Sequence, residues 1–439
     1  MKAEIFIFAE ESVERLLKKI EEFGKEISQD NLKDLSHLLF LKNNQKIKSP
    51  ENLKVCLVSD SFEDLKNKIE KIKSLLKEGK IPYYGSEGIY ISKERKKEKI
   101  AFLFPGQGSQ FPNMCRGLAL SFDEMKESIE KADSILKGRF PKLLSEYIYP
   151  PSFSPENENI YMEELTRTNI TQPALAVIEM GIFKILRNSG IKPDMMAGHS
   201  LGEYVALCAS GVFDEEVLYD LVEYRGSAII KGTEGKAGKM VAVGKKPEEI
   251  EDIINSIENV YIANLNSPSQ TILSVSDDKV DELIGILKKN KIRCKKINVS
   301  CGFHSPFMEG AKKILDEKLI KIDYSPPKIP VYSNLTAERY PEDKNSIFKI
   351  LSEHLVNPVK FTEEIENMYK DGARIFIEVG PSNVLTNLVK QILDGKDFSV
   401  IPSNPKGKDD IFSLLNLFAH LITKGIEIDL SPLFKDKKT

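Results

Sequence analysis

Gly198-His199-Ser200-Leu201-Gly202-Glu203 sets a serine between two glycines. Apolar Met195-Met196-Ala197 leads in, and small-residue Tyr204-Val205-Ala206-Leu207-Cys208-Ala209 leads out. The pattern predicts a strand turning sharply into a helix, a nucleophile elbow. Such a turn lifts the serine Oγ out of a sheet and leaves the N–H of Leu201 free to bind an oxyanion. Bulky residues at the two glycine positions would clash in so tight a turn. A serine hydroxyl attacks poorly until a base takes its proton. The chain has five histidines: His37, His199, His304, His354 and His420. His37, His354 and His420 fall on expected helices or in the N-terminal unit and read as surface or packing residues. His304 follows an expected strand and precedes Ser305-Pro306, a turn position that can aim its ring into a cleft. A second glycine-rich loop, Pro105-Gly106-Gln107-Gly108-Ser109-Gln110, breaks out of the apolar run 100–104. No Gly-Lys-Ser/Thr follows, so a phosphate-cradling loop is excluded and an ordinary strand-to-helix turn stays open. The chemistry indicated is acyl transfer through a serine ester.

The elements that must position these residues follow from hydrophobic periodicity. Residues 1–98 read as a small α+β unit: strands at 4–9, 53–59 and 88–92, with helices at 11–27, 31–41 and 62–77. The charged run Lys93-Glu94-Arg95-Lys96-Lys97-Glu98-Lys99 marks a boundary. From Ile100 to about 230, strands and helices alternate as in a parallel sheet with crossover helices. The polar, Pro-rich stretch 149–165 reads as a surface loop. Strand 239–243, helix 247–257, strands 260–264 and 270–275, helix 278–288 and strand 295–299 give the β-α-β-β-α-β order of a ferredoxin-like unit, inserted at about 236–299. The parallel pattern resumes with strand 329–333, helix 361–370, strand 374–378 and a helix near 383. An amphipathic helix at 409–424 is expected to pack as a tail. The fold class is α/β: a parallel-sheet, hydrolase-like core over 99–400 with an inserted ferredoxin-like subdomain, a small α+β domain before it and a tail, 401–439, after it.

Composition narrows the function classes. The 439 residues are 29% charged yet carry a net charge of only -3, without the basic bias of a nucleic-acid binder. The basic run at the boundary is read as a solvated linker. Five cysteines lie far apart with no Cys-x-x-Cys, against a disulfide framework or a zinc site and in keeping with a reducing cytosol. Met1-Lys2-Ala3-Glu4-Ile5-Phe6 is no signal peptide, and no apolar run is long enough to cross a bilayer. A cytoplasmic protein with no membrane partner is expected.

Taken together, Gln107-Gly108-Ser109-Gln110, Gly198 to Glu203, Arg225, Phe303-His304-Ser305-Pro306, Asn357-Pro358-Val359 and Glu378-Val379-Gly380-Pro381 resemble the malonyl-CoA:acyl-carrier-protein transacylase family, over about residues 99–400. Residues 1–98 resemble the ketosynthase–acyltransferase linker of a modular polyketide synthase, and Gly425-Ile426-Glu427-Ile428-Asp429-Leu430 resembles the linker that follows the acyltransferase. The segment Leu144 to Pro151 and the Cys301-Gly302-Phe303-His304 variant look most like iterative synthases of the enediyne or polyunsaturated-fatty-acid type.

The resemblance implies roles for single residues. Ser200 becomes the nucleophile and His304 the base. The backbone N–H groups of Gln107 and Leu201 form the oxyanion hole. A main-chain carbonyl of about Lys360 orients His304. Arg225 holds the free carboxylate of a malonyl group, a pairing that a planar guanidinium makes bidentately. The competing reading of Arg225 is a surface arginine on a helix that also carries Glu223. His199 is expected to touch the same carboxylate. Gln172 and Asn266 match positions lining the acyl or pantetheine site, though helix capping or turn formation accounts for them too. Phe303 implies malonyl over methylmalonyl, with Gly302 expected to relax that wall. The implied reaction moves malonyl from malonyl-CoA to the phosphopantetheine thiol of an acyl carrier protein, with no tightly bound cofactor or metal. Neighbouring synthase domains such as a ketosynthase are the further partners implied. Two other readings are an α/β-hydrolase or thioesterase, with His420 as its late histidine, and a docking scaffold with a relic site.

Overall fold

The structure, a computed structural model, describes residues 3–27, 32–49, 52–93, 98–233, 238–297, 299 and 301–434. Glu94–Lys97 of the boundary run, Asn31, Lys236 at the start of the insert and Asn298 near its end lie outside the described residues.

The N-terminal unit comprises β1 (Glu4–Glu10), α1 (Val13–Glu26), α2 (Leu32–Lys48), β2 (Leu53–Ser59), α3 (Phe62–Lys77), β3 (Tyr83–Gly85) and β4 (Ile89–Ser92). Ser12 and Ser61 cap α1 and α3, accepting from the N–H of Arg15 and Asp64. The strands form one antiparallel sheet in the order β1-β2-β4-β3. Its two faces go to different cores. Phe6, Phe8, Val55 and Leu57 pack on Leu16 and Ile20 of α1 and Leu65 and Ile72 of α3. Ile5, Ile7, Cys56 and Val58 face the main domain. A sheet covered on both sides reads as a continuous apolar run, which explains why β1 and β2 show no polar alternation.

The elements that carry the site are β5 (Lys99–Phe104), α4 (Thr168–Asn188), β6 (Met195–Gly198), α5 (Leu201–Ala209) and α6 (Glu215–Gly232). Next come β7 (Lys239–Val243), α7 (Glu251–Asn255), β8 (Val260–Ser267), β9 (Gln270–Val275), α8 (Val280–Lys289) and β10 (Cys294–Ile297). After the insert follow α9 (Lys344–Glu353), α10 (Phe361–Lys370), β11 (Ala373–Pro381), α11 (Val384–Ile392), β12 (Ser399–Asn404) and α12 (Asp410–Thr423). The main sheet is parallel, in the order β12-β11-β5-β6. The inserted sheet is antiparallel, β10-β7-β9-β8, the ferredoxin-like order.

Three expectations change. The 329–333 run makes no full strand; Val331 forms only an isolated parallel bridge to Met196. The 149–165 stretch contains the helix Glu158–Thr166, because its prolines end at the turn that opens it. The helix at 409–424 is not a tail. In α12, Ile411, Leu414, Leu415, Leu417, Phe418, Ala419, Leu421 and Ile422 are all buried, and the helix lies between the N-terminal sheet and the main core. No helix among the described residues is long and apolar enough to cross a membrane.

Candidate active site

β5 and β6 are neighbours in register, Phe104 opposite Gly198, so the two glycine-rich turns leave the sheet side by side. Ligands of open parallel sheets bind at such carboxyl ends. The N–H of His199 donates to the carbonyl of Phe104 at 2.9 Å. The glycines are required by contact. A Cβ on Gly198 would lie 1.9 Å from the backbone of Gly202, one on Gly202 1.9 Å from Phe104 O, and one on Gly106 2.4 Å from His199 O. Ser200 itself has φ 53, the strained geometry of an elbow. Neither the Leu201 nor the Gln107 N–H is committed to a protein acceptor among the described residues, and both residues line one cavity of about 240 Å³.

Ser200 Oγ lies 2.7 Å from Nε2 of His304, a buried residue that also has a positive φ, 55. His304 Nδ1 lies 3.0 Å from the carbonyl oxygen of His354. A carbonyl only accepts, so Nδ1 carries the proton and Nε2 presents a lone pair to the serine O–H. Burial, then the nearby Arg225 charge, lowers the His304 pKa to about 3, and the ring is neutral at pH 7.

The orienting carbonyl therefore belongs to His354, not to Lys360. The carbonyl of Lys360 instead accepts from Glu364 N inside α10, and its N–H donates to Asn334 O. His354 is not a surface histidine: it ends α9 and is buried against the His304 ring. Any residue supplies a carbonyl, so no side-chain signal marks this one.

Arg225, on α6, is 1% exposed, which removes the surface reading. Glu223 is taken by Arg139 at 2.8 Å. Arg225 Nη2 stands 3.4 Å from Ser200 Oγ, its guanidinium lies 5.2 Å from the Tyr204 ring centre, and its Nε has no partner among the described residues. It forms no ion pair among the described residues. Burial lowers its pKa, while Tyr204 and Glu203 pull the other way.

Gln172 is buried on α4, and neither its Oε1 nor the buried Nε2 of Gln107 has a partner among the described residues. Both residues line the cavity, with Asn266 and Phe303. The Nε2 of His199 is 2.7 Å from Asn266 Oδ1, which accepts from it, and Asn266 Nδ2 donates to Gln270. Burial lowers the His199 pKa, so its ring is neutral and its single N–H is already used. His199, expected to touch the substrate carboxylate, lines the same cavity as Ser200 and Arg225, with its Nε2–H turned to Asn266. Gly302 does not relax the Phe303 wall either: a Cβ there would lie 3.0 Å from Phe307 and 3.3 Å from Ser274, which fill the space. His420 stacks on Tyr84 of the N-terminal sheet, ring centres 4.7 Å apart, and takes no part in the site.

Residues that sequence reasoning missed lie under the elbow. Asn334 accepts from Ser200 N and donates to Gly198 O. Glu203 accepts from Asn334 N and from the Tyr340 hydroxyl, and Glu364 accepts from Asn334 Nδ2. Glu203 was visible as the last residue of the elbow motif; nothing local to Asn334 or Glu364 pointed to the site.

Residues 101–428 match the acyl transferase domain family. The chain belongs to that family. Among curated relatives, this acyltransferase is 33% identical over 342 residues to a polyunsaturated fatty acid synthase chain of Thraustochytrium, a match spanning 75% of this chain and 12% of that one. It is 35% identical over 308 residues to the polyketide biosynthesis malonyl CoA-acyl carrier protein transacylase PksC of Bacillus subtilis, covering 69% of this chain and 99% of that one. Among solved structures, the acyl transferase domain of ZmaA superposes with a TM-score of 0.83 at 26% identity, covering 100% of this chain and 98% of that one. The malonyl CoA-acyl carrier protein transacylase from Coxiella burnetii gives 0.66 at 32% identity, covering 74% and 98%.

Proposed function

We propose that this acyltransferase moves a malonyl group from malonyl-CoA, through an ester on Ser200, to the phosphopantetheine thiol of an acyl carrier protein. The observation that carries the reading is Arg225. A guanidinium this deeply buried with no carboxylate partner among the described residues is costly, and it stands beside the nucleophile in the same cavity. A dicarboxylic acyl group supplies the missing anion.

The residues then act in sequence. Neutral His304 takes the Ser200 proton as Oγ attacks the thioester carbonyl. The N–H groups of Gln107 and Leu201 receive the developing oxyanion, where two preorganised donors contribute several kcal/mol. The His354 carbonyl stabilises the imidazolium through Nδ1–H. Collapse expels the CoA thiolate, which His304 reprotonates. The carrier thiol repeats the steps in reverse, with His304 again as base. Arg225 keeps the acyl carboxylate fixed throughout. The relatives named as malonyl-CoA transacylases support this reading, as does a solved transacylase in complex with its acyl carrier protein, 30% identical to this chain. Neighbouring synthase domains are the further partners of a chain that matches 12% of a much longer synthase polypeptide.

The test is intact mass after exposure to malonyl-CoA and acetyl-CoA. Wild type should gain one malonyl group and Ser200→Ala none. Arg225→Ala should lose malonyl loading by roughly 30-fold or more while acetyl loading survives, as expected for a lost desolvated ion pair. Equal malonyl labelling of wild type and Ser200→Ala would refute the assignment.

A further inference from the structure

We propose that Asn334 is the positioning residue of this site: its carboxamide clamps the peptide groups on both sides of His199 and so holds Ser200 Oγ against His304. The proposal rests on the acyl-serine reading above.

Ser200 N donates to Asn334 Oδ1 at 2.7 Å, and Asn334 Nδ2 donates to Gly198 O at 2.6 Å. The amide cannot be flipped, because a backbone N–H only donates and a backbone carbonyl only accepts. The second Nδ2 hydrogen goes to Glu364 Oε2 at 2.9 Å. The main chain of Asn334 is fixed as well: its N–H donates to Glu203 Oε2 at 2.7 Å, and its carbonyl accepts from Lys360 N at 2.9 Å. Glu203 sits on α5, the helix that the nucleophile opens, so the loop carrying Asn334 is tied to the elbow at two levels.

The same side chain reaches the support of the base. His354, whose carbonyl holds His304 Nδ1, places Nε2 3.4 Å from Asn334 Oδ1. One carboxamide therefore touches the mounts of both reacting groups. Ser200 needs such a mount because its φ of 53 is not one that the residue adopts unaided. If the peptide relaxed, Oγ would swing from its 2.7 Å contact with His304. A displacement near 1 Å typically reduces a rate about 10²-fold.

Two variants of the full chain and two assays test this. The first assay is labelling of Ser200 by a small serine-directed phosphonate, which carries no carboxylate and no CoA. The second is steady-state malonyl transfer. Asn334→Ala should slow labelling and kcat alike, about 10²-fold, with KM for malonyl-CoA within about threefold because Arg225 and the cavity wall are untouched. Asn334→Asp supplies an internal comparison. As a neutral acid it still accepts from Ser200 N and donates one O–H to Gly198 O. As a carboxylate it can only accept, and it faces that carbonyl unpaired. Its labelling rate relative to wild type should therefore fall as pH rises. The groups facing it are Glu203 on α5, Glu364 on α10, His354 after α9 and Tyr340, with Arg225 and His304 beyond Ser200.

Wild-type labelling rates in folded Asn334→Ala would overturn the proposal. So would a loss confined to KM, or an Asn334→Asp profile parallel to wild type. Failure of both variants to fold would also overturn it, by assigning Asn334 to stability alone. Failure of the acyl-serine malonyl reading looks different: wild type then takes the phosphonate but not malonyl-CoA, and the labelling comparison still judges Asn334.

Discussion

Ser200, with φ 53, and His304, with φ 55, are two of the eight described non-glycine residues with a positive φ, and they are the two groups that meet at 2.7 Å. Such conformations cost about 1–3 kcal/mol each and persist only where surrounding bonds over-determine them. Here Asn334 accepts from the Ser200 N–H, and the His354 carbonyl holds the His304 ring. On the proposed route, ester formation needs His304 neutral. Burial and then the Arg225 charge depress its pKa to about 3, so the acid limb should lie well below that of an ordinary histidine. Phosphonate labelling of wild type should stay level from pH 8 down to about pH 5. Arg225→Ala removes a positive charge that opposes the imidazolium, so its limb should move to higher pH. A wild-type rate that halves near pH 6.5 would contradict the depressed value. Phe303, 8% exposed, lines the cavity, and Phe307 fills the space beside Gly302. An extra methyl on the acyl group should cost about 1–3 kcal/mol against such a wall. With malonyl-CoA and methylmalonyl-CoA at equal concentration, malonyl should load about 10-fold faster or more, and Phe303→Ser should narrow the ratio.

Among the elements, α4 carries a carboxylic acid with no evident task. Glu179 is fully buried in the middle of the helix, and both its oxygens lack a partner among the described residues. Glu378 on β11 is the opposite case, accepting from the N–H groups of Leu385 and Thr386 at the start of α11, where the helix dipole favours a negative charge. Burial, then the Glu378 charge, raises the Glu179 pKa well above its ordinary value. The folded chain thus keeps a proton that the unfolded chain has released above pH 4.5. That linkage lowers stability progressively as pH rises from the unfolded value towards the folded one. Glu179→Met, apolar and of similar length, should raise stability by about 1–3 kcal/mol at pH 8 and by less at pH 5. Melting temperatures of the two proteins across that range measure it. A gain that does not grow with pH would mean that Glu179 ionises freely.

At the scale of the whole molecule, α12 joins the N-terminal sheet to the acyltransferase core. One face of that sheet, through Ile5, Ile7, Cys56 and Val58, belongs to the same apolar cluster as Leu414, Phe418 and Ile422. Tyr90 reaches Asn416 with its hydroxyl, and Tyr84 stacks on His420. An interface this apolar should make the two units unfold together. Phe418→Ala should cost about 3–5 kcal/mol, the usual range for an emptied phenylalanine site, and should lower a single calorimetric transition. Two separated transitions in the wild-type protein would show that the N-terminal unit folds independently.

The amino-acid pattern determined whatever is local. The elbow was legible because only glycine fits where a Cβ on Gly198 or Gly202 would lie 1.9 Å from backbone atoms. The ferredoxin-like insert was legible because its strands and helices alternate at their own periods. Tertiary structure decided what depends on residues distant along the chain. The carbonyl that orients His304 comes from His354 rather than Lys360, and every residue carries a carbonyl, so composition cannot mark it. The burial of Arg225 and the bonds of the Asn334 side chain and main chain arise where separate loops meet. The periodicity of α12 reads as one apolar face, but a helix sandwiched between two units is covered on nearly every side. Which partner covers a face is set by packing, and packing is a property of the assembled chain.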